Sequence, residues 1–378
     1  MLAAIATAVV WLCEFGLVQG VYHGNWTGLF CIAPHMPVPE FLRAERLYIF
    51  QGTEGYDGQV YHLIAHDPWM RRGSAQAIGD AAFRYQRIFV PALAWMLALG
   101  RDEYVHAAYF AVILAFVFLG VYWMARLARA RGLPPAWGLA FLAIPATFTS
   151  ADRMTADVAL AALLVAFALY AQSASNLTIA AIFAAAALTR ETAALAALGY
   201  AAYLVSRANL ARAACVCASL APAGAWFLYV THFSARSEAF GYMTWIPFGG
   251  FLERLSHPAA YPFTGWRRDV PLLLDWIALA GVAVMFAMVA RTALARRWNA
   301  VAAAMYAFGI AAVFLSSRDV WVDAYNYGRV LSPLLLLALV EPWPASTPWT
   351  LAPLALIDLR PALYIGGEIK AAVLGLLK

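Results

Sequence analysis

Apolar runs long enough to cross a lipid bilayer set the strongest limit on what this chain can fold into. Residues 2–20, Tyr104–Met124, Met154–Ala171, Ala213–Val230 and Val270–Val289 each hold at most one acidic residue. Each is close to the roughly 20 residues that a helix needs to span the hydrocarbon core. Lipid offers no water to backbone N–H and C=O groups, so only helices and closed barrels can cross it. The runs are continuous and Ala/Leu-rich and do not alternate at period two, which disfavours a barrel. The expected fold is an all-α polytopic transmembrane bundle of about 10–12 membrane segments.

Composition agrees: 64% of the residues are hydrophobic and 12% are charged, against about a quarter charged in soluble domains. The net charge of +5 comes almost wholly from arginine, since Lys370 and Lys378 are the only lysines. The arginines gather in short loops at 126–131, 207–212 and 291–297. That is the pattern of topology signals, not of a nucleic-acid partner. Cys13, Cys31, Cys215 and Cys217 have no metal-ligand spacing, and the last two, in an apolar run, read as buried inert thiols.

The polar stretches fall between these runs. The first, residues 23–103, contains Tyr56-Asp57-Gly58-Gln59, His62, His66, Asp67 and arginines 71, 72, 84 and 87. Its one apolar piece, Ile88–Leu99, is too short to span comfortably. If Ile88–Leu99 does not cross, the three arginine clusters share one side, as the positive-inside rule prefers. Trp137–Phe148 and Met154–Ala171 then pair across Asp152 and Arg153. Two half-length helices, Ile179–Leu188 and Ala193–Val205, meet at Thr189-Arg190-Glu191, where a polar site is less costly than inside one long span. Residues 231–269 form a second loop on the Asp57 side and 316–328 a third. Residues 1–343 are read as one membrane module and 344–378 as a hydrophobic segment and tail. The three loops are expected to converge over one cavity with Asp57 at its wall.

Together, Tyr56-Asp57-Gly58-Gln59, Tyr61-His62-Leu63-Ile64-Ala65-His66-Asp67-Pro68, Arg84-Tyr85-Gln86-Arg87-Ile88-Phe89-Val90-Pro91, Leu188-Thr189-Arg190-Glu191-Thr192 and Gly328-Arg329-Val330-Leu331-Ser332-Pro333 carry a resemblance. The chain resembles the GT-C class of membrane glycosyltransferases, in particular the dolichol-phosphate-mannose type enzymes and their bacterial relatives. The resemblance covers residues 1–340 and rests more on topology than on any one motif. It implies a polyprenyl-phosphate-sugar donor carrying mannose or another hexose or pentose, and a saccharide, lipid or protein acceptor. The richness in Ala and Arg points to a bacterial inner membrane, and the positive-inside rule puts the side carrying Asp57 on the extracytoplasmic face. The resemblance admits a divalent ion such as Mg or Mn, and no acidic pair adjoins Asp57 to hold one.

Sugar transfer from a lipid phosphate needs a base for the acceptor proton and fixed positive charge for the departing phosphate. Asp57 matches the family's base by position. The plainer reading is that Tyr-Asp-Gly is only a turn. Arg84, Arg87, Arg329 and Arg190 are the phosphate candidates, because guanidinium binds phosphate bidentately and stays charged. Headgroup anchoring for Arg84 and Arg87, and an internal Arg190–Glu191 ion pair, are the structural alternatives. Tyr56, Gln59, His62, Tyr85, Asp152, Arg153, Glu191, His232 and Tyr327 are candidates for sugar or acceptor contact. His62 and His66, spaced i and i+4, face one side of a helix with Asp67 nearby. They lack a further ligand at sequence spacing, so no protein-only metal site is expected. A lipid-linked saccharide transporter or flippase, and a non-catalytic scaffold of the same fold, are the competing functions.

Overall fold

The computed structural model describes residues 1–234, 239–342 and 348–377. Among these the chain is all-helical without a strand, and only two isolated bridges occur, Ile32 with Ile49 and Met243 with Leu315. Helices of nine residues or more are numbered α1 (Leu2–Gly20), α2 (Asp57–His66), α3 (Phe89–Leu97), α4 (Asp102–Ala130), α5 (Pro145–Arg153), α6 (Asp157–Tyr170) and α7 (Asn176–Thr189). They continue with α8 (Ala193–Ser206), α9 (Leu210–Ala218), α10 (Ala221–Phe233), α11 (Trp266–Leu294), α12 (Ala300–Val313), α13 (Ala324–Val340) and α14 (Ala352–Leu376).

Among the described residues four spans are long and apolar enough to cross a membrane: α1, α4, α9 with α10 taken together, and α11. Helices α6, α7, α8, α12 and α13 are apolar but shorter. At 1.5 Å per residue, 14 residues reach about 21 Å, short of the roughly 30 Å hydrocarbon core. The short α6 is buried along almost its whole length and forms the centre of the bundle. The long spans lie outside it and turn Ile5, Leu12, Leu228 and Leu273 outward. Such apolar faces are stable against lipid tails. Where α1 crosses α14, a Cβ on Gly375 would overlap the Gly20 carbonyl, so the two backbones touch as only small residues permit. Polar caps set several helix ends: Ser175 starts α7, Asn209 α9, Asn299 α12 and Asp323 α13, each accepting a backbone N–H.

Three expectations need correction. Trp137–Phe148 is not one helix but a 3-10 stretch, Pro135–Ala143, followed by α5. Proline favours the first turn of a helix and holds the residue before it extended, so Pro145 restarts the chain after Ile144 at ψ 122°. The described part of the tail beyond 344 is a 3-10 turn, Pro348–Leu351, followed by the 25-residue helix α14, packed against α1 and α11. Asp358, Arg360, Pro361, Glu368 and Lys370 dilute its apolar pattern. The boundary placed at 343/344 falls in 343–347, outside the described residues. Cys217, expected to be buried, is exposed on the outward α9 span.

Short α3, nine residues and about 14 Å long, is too short to cross. The arginine clusters share one end of the bundle, tied together by hydrogen bonds. Arg131 reaches the Val340 carbonyl at the end of α13, and Arg126 reaches the Tyr170 hydroxyl at the end of α6. Arg212 donates to the Ala171 carbonyl at 3.0 Å, and Trp298 to the Ser206 hydroxyl at 2.7 Å. The opposite ends of α6, α8 and α13 begin at Asp157, Ala193 and Ala324, around the cavity described next.

Candidate functional site

Asp57 is the first residue of α2, so the turn reading of Tyr-Asp-Gly does not hold. Gly58 is there for closeness: a Cβ at that position would overlap the carbonyl oxygen of Arg153 and press on that of Phe30. The start of α2 is thereby set against backbone, and Asp57 faces a cavity of about 880 Å³.

Asp57 receives two guanidiniums. Arg329 donates to Oδ2 at 2.8 Å and Arg84 to Oδ1. Arg329 also lies 3.7 Å from the Asp157 carboxylate, which pairs with Arg190. Arg87 grips Glu191 bidentately, Nε to Oε2 at 3.0 Å and Nη2 to Oε1 at 2.8 Å. The inner network therefore holds four guanidiniums against three carboxylates, while two further carboxylates of the lining, Glu54 and Asp319, are exposed away from it. Burial alone would push the Asp57 carboxyl up. Arg329, then Arg84 and Arg87, outweigh it and hold the group well below the usual carboxylate range. One donor is left over: Arg329 Nε is buried without a hydrogen-bond partner.

The break at Arg190 makes this arrangement possible. There α7 ends with the backbone extended, φ −159° and ψ 133°, and α8 begins at Ala193. Arg190, Glu191 and Thr192 line the cavity from this gap. The Arg190–Glu191 pair expected from sequence is replaced by crossed pairs, Arg190 with Asp157 and Arg87 with Glu191.

All four arginines and Asp57 line the one cavity, together with Tyr56, Gln59 and Glu191. Tyr56 donates to Asn326 Oδ1 at 2.8 Å and stacks under the Arg329 guanidinium, 4.8 Å from its ring centre. Gln59 is spent on the backbone, accepting from Ala33 N–H at 2.9 Å. Tyr242 from the second loop and Asp319 from the third complete the polar rim, with Val320 beside them. Below the arginines the wall is apolar: Leu195, Phe308, Ala311, Ala312, Val330, Leu331 and Leu334 on α8, α12 and α13.

Other candidates stand elsewhere. Tyr85 is buried and donates to the Asp67 carbonyl. Tyr327 is fully buried against Trp321. His232 is exposed beside Phe233. Asp152 and Arg153 form a separate buried cluster with Tyr325, Tyr364 and Glu368, tying α14 to α5. His62 faces away from the cavity into a histidine group with His66, His106 and Glu45. Counting neighbours in sequence missed the latter two, 44 and 17 residues from His62. It also missed Asn326 and Asp157. Their side chains meet only through the fold, so spacing carried no signal for them.

Set against known proteins, the chain matches no family model, no curated protein and no solved structure.

Proposed function

We propose that this chain is a GT-C-type membrane glycosyltransferase that moves a sugar from a polyprenyl-phosphate donor to an acceptor hydroxyl. The observation that carries this reading is the two-part cavity, four guanidiniums at its head and an apolar wall along α8, α12 and α13 below. An amphiphile with a phosphate head and a prenyl chain is complementary to both parts. The loops around its rim belong to the end of the bundle opposite the arginine clusters, so under the positive-inside rule the site opens to the extracytoplasmic side, in a bacterial cell to the periplasm.

In the transfer, the acceptor oxygen attacks the anomeric carbon as the bond from that carbon to the phosphate oxygen breaks. The electron pair leaves with the polyprenyl phosphate, the configuration inverts, and the acceptor proton passes to Asp57. With the site free of donor, Asp57 is held by Arg329 and Arg84 and is a weak base. A phosphate that takes up Arg329 Nε and competes for both guanidiniums loosens that grip. Donor binding thereby raises the basicity of Asp57 when an acceptor is in reach. Arg84, Arg87 and Arg190 supply the remaining positive charge around the leaving phosphate.

The test is transfer of labelled sugar from synthetic polyprenyl-phosphate donors by the purified chain in sealed liposomes. Movement of intact donor between leaflets without transfer would instead favour the flippase reading.

A further inference from the structure

Behind α2, on the side away from the cavity, lies a cluster that the sugar-transfer reading does not use. Glu45, His62, His66 and His106 bring one ligand atom each to within 4.8 Å of one another. They come from three places: the segment after the turn Glu40–Leu42, two successive turns of α2, and the first turns of α4. His62 and His66 are each 1% exposed.

Two buried atoms of the cluster, His66 Nε2 and Glu45 Oε2, are left without a hydrogen bond, Glu45 Oε2 standing 3.8 Å from His62 Nε2. The His66 tautomer is fixed from behind. Its Nδ1 lies 2.9 Å from Asp102 Oδ1 and donates to it, so Nε2 presents a lone pair to the centre. Asp102 is in turn clamped by Arg72, 2.8 Å to Oδ1 and 2.7 Å to Oδ2, and Arg72 also donates to the His66 carbonyl at 3.0 Å. A carboxylate behind the distal nitrogen is how metal-bound imidazoles are held. The His62 and His106 rings stack at 13°, with their Nε2 atoms 2.8 Å apart, and Glu45 Oε1 is 3.0 Å from His106 Nε2. One proton shared between His62 and His106 satisfies those two nitrogens but still leaves His66 Nε2 and Glu45 Oε2 orphaned. A cation at the centre satisfies all four residues.

We propose that Glu45, His62, His66 and His106 form a closed site for a divalent transition metal of the zinc class. Three imidazoles and one carboxylate are a tetrahedral ligand set, with ligand atoms about 3.3 Å apart around zinc. The observed separations, from 2.8 Å to 4.8 Å, bracket that value. Imidazole donors select such metals over Mg, Mn or Ca, which prefer oxygen. Four protein ligands leave no open position, so the ion is a clip that fixes α2, and with it Asp57, to α4. This assignment does not depend on the proposed transfer reaction.

Full-length chain with any purification tag removed is stripped with EDTA, dialysed and titrated with Zn²⁺ against a chromophoric chelator, with bound metal counted by mass spectrometry. One equivalent is expected, together with the visible ligand-field bands of tetrahedral cobalt when Co²⁺ replaces zinc, and no displacement by excess Mg²⁺. Changing His66→Gln or His106→Gln should lower Zn²⁺ affinity at least tenfold. Asp102→Asn, which leaves every ligand in place, should lower it roughly 10- to 100-fold. His232→Gln should leave it unchanged. The wild-type titration decides even if a variant does not fold. Substoichiometric zinc without the cobalt bands would overturn the site, as would one equivalent that survives the double change H62Q/H66Q, or ready displacement by Mg²⁺.

Discussion

Arg329 donates to Asp57 Oδ2 at 2.8 Å across 272 residues of sequence. The bond joins the start of the first loop's helix to the start of α13, so the cavity closes only when the two ends of the chain are packed. Asp157 and Arg190 extend the same network to α6 and to the break between α7 and α8. Breaking a buried pair costs more than the pair contributes, because it strands a charge. The network is therefore as much a condition for folding this end of the bundle as a site.

The Asp57 pairing fixes a pH dependence. Its carboxyl titrates below the usual range in the folded chain, whereas an unfolded aspartate titrates near pH 4. The stability it contributes is fully present above about pH 4 and drains away as pH falls further towards the folded value. Melting of wild type and Asp57→Asn in detergent, followed by tryptophan fluorescence, should differ by a constant amount from about pH 5 to 8. The difference should shrink only in acid. A gap that already narrowed near neutrality would mean that the arginines do not hold Asp57.

Gly58→Ala probes the seat of α2. The added methyl meets the Arg153 carbonyl, which is backbone and cannot swing aside. Overpacking of this kind costs about 1–3 kcal/mol, so the melting temperature should fall by several degrees. An unchanged melt would mean that α2 does not rest on the Arg153 carbonyl.

The apolar runs made the helical membrane character readable, and the short length of Ile88–Leu99 together with the arginine clusters made the two ends of the bundle readable. The break at Arg190 was visible because a charged pair in the middle of a span is costly. Pairings were not visible. Glu191 was matched to its neighbour Arg190, yet the fold gives it to Arg87, 104 residues away. The helix α14 was hidden because Glu368 and Arg360 find Arg153 and Asp275 inside the protein. A hydropathy pattern counts such charges as solvent-facing. Glu45 and His106 were invisible for the same reason, since ligand spacing in sequence reports only sites built within one element.

Topology can be checked directly. With α3 too short to cross, α4 carries the chain to the arginine end, and Gly132 lies just past its last turn, beside the cluster 126–131. A cysteine at Gly132, in a background with Cys13, Cys31, Cys215 and Cys217 replaced, should resist membrane-impermeant maleimide in intact cells. It should react after permeabilisation. A cysteine at Glu54, exposed at the cavity mouth, should react in both. Labelling of Gly132→Cys from outside would reverse the orientation and place the cavity at the cytoplasmic face.

Asp57 and Arg329 touch each other, yet their proposed roles separate them in kinetics. A base contributes at proton transfer, about 100- to 10,000-fold in rate. A guanidinium on phosphate contributes from donor binding onward, since the phosphate is charged throughout. Asp57→Asn keeps one acceptor oxygen for Arg329, which also retains Asp157 at 3.7 Å, while Arg84 is a quarter exposed and can turn to solvent. The variant should therefore fold with a lower melting point and bind donor at least as well as wild type, because two guanidiniums are freed for the phosphate. Its kcat should fall by about two to four orders of magnitude. Arg329→Ala should raise the donor KM at least tenfold, and Arg329→Lys should recover part of the loss but not the two-point grip. Steady-state transfer at varied donor concentration, on preparations shown to be folded by their melts, separates the two patterns. Asp57→Asn with undiminished kcat would remove the base from the mechanism. Equal effects of both substitutions on KM alone would leave the pair as a structural bridge at the cavity wall.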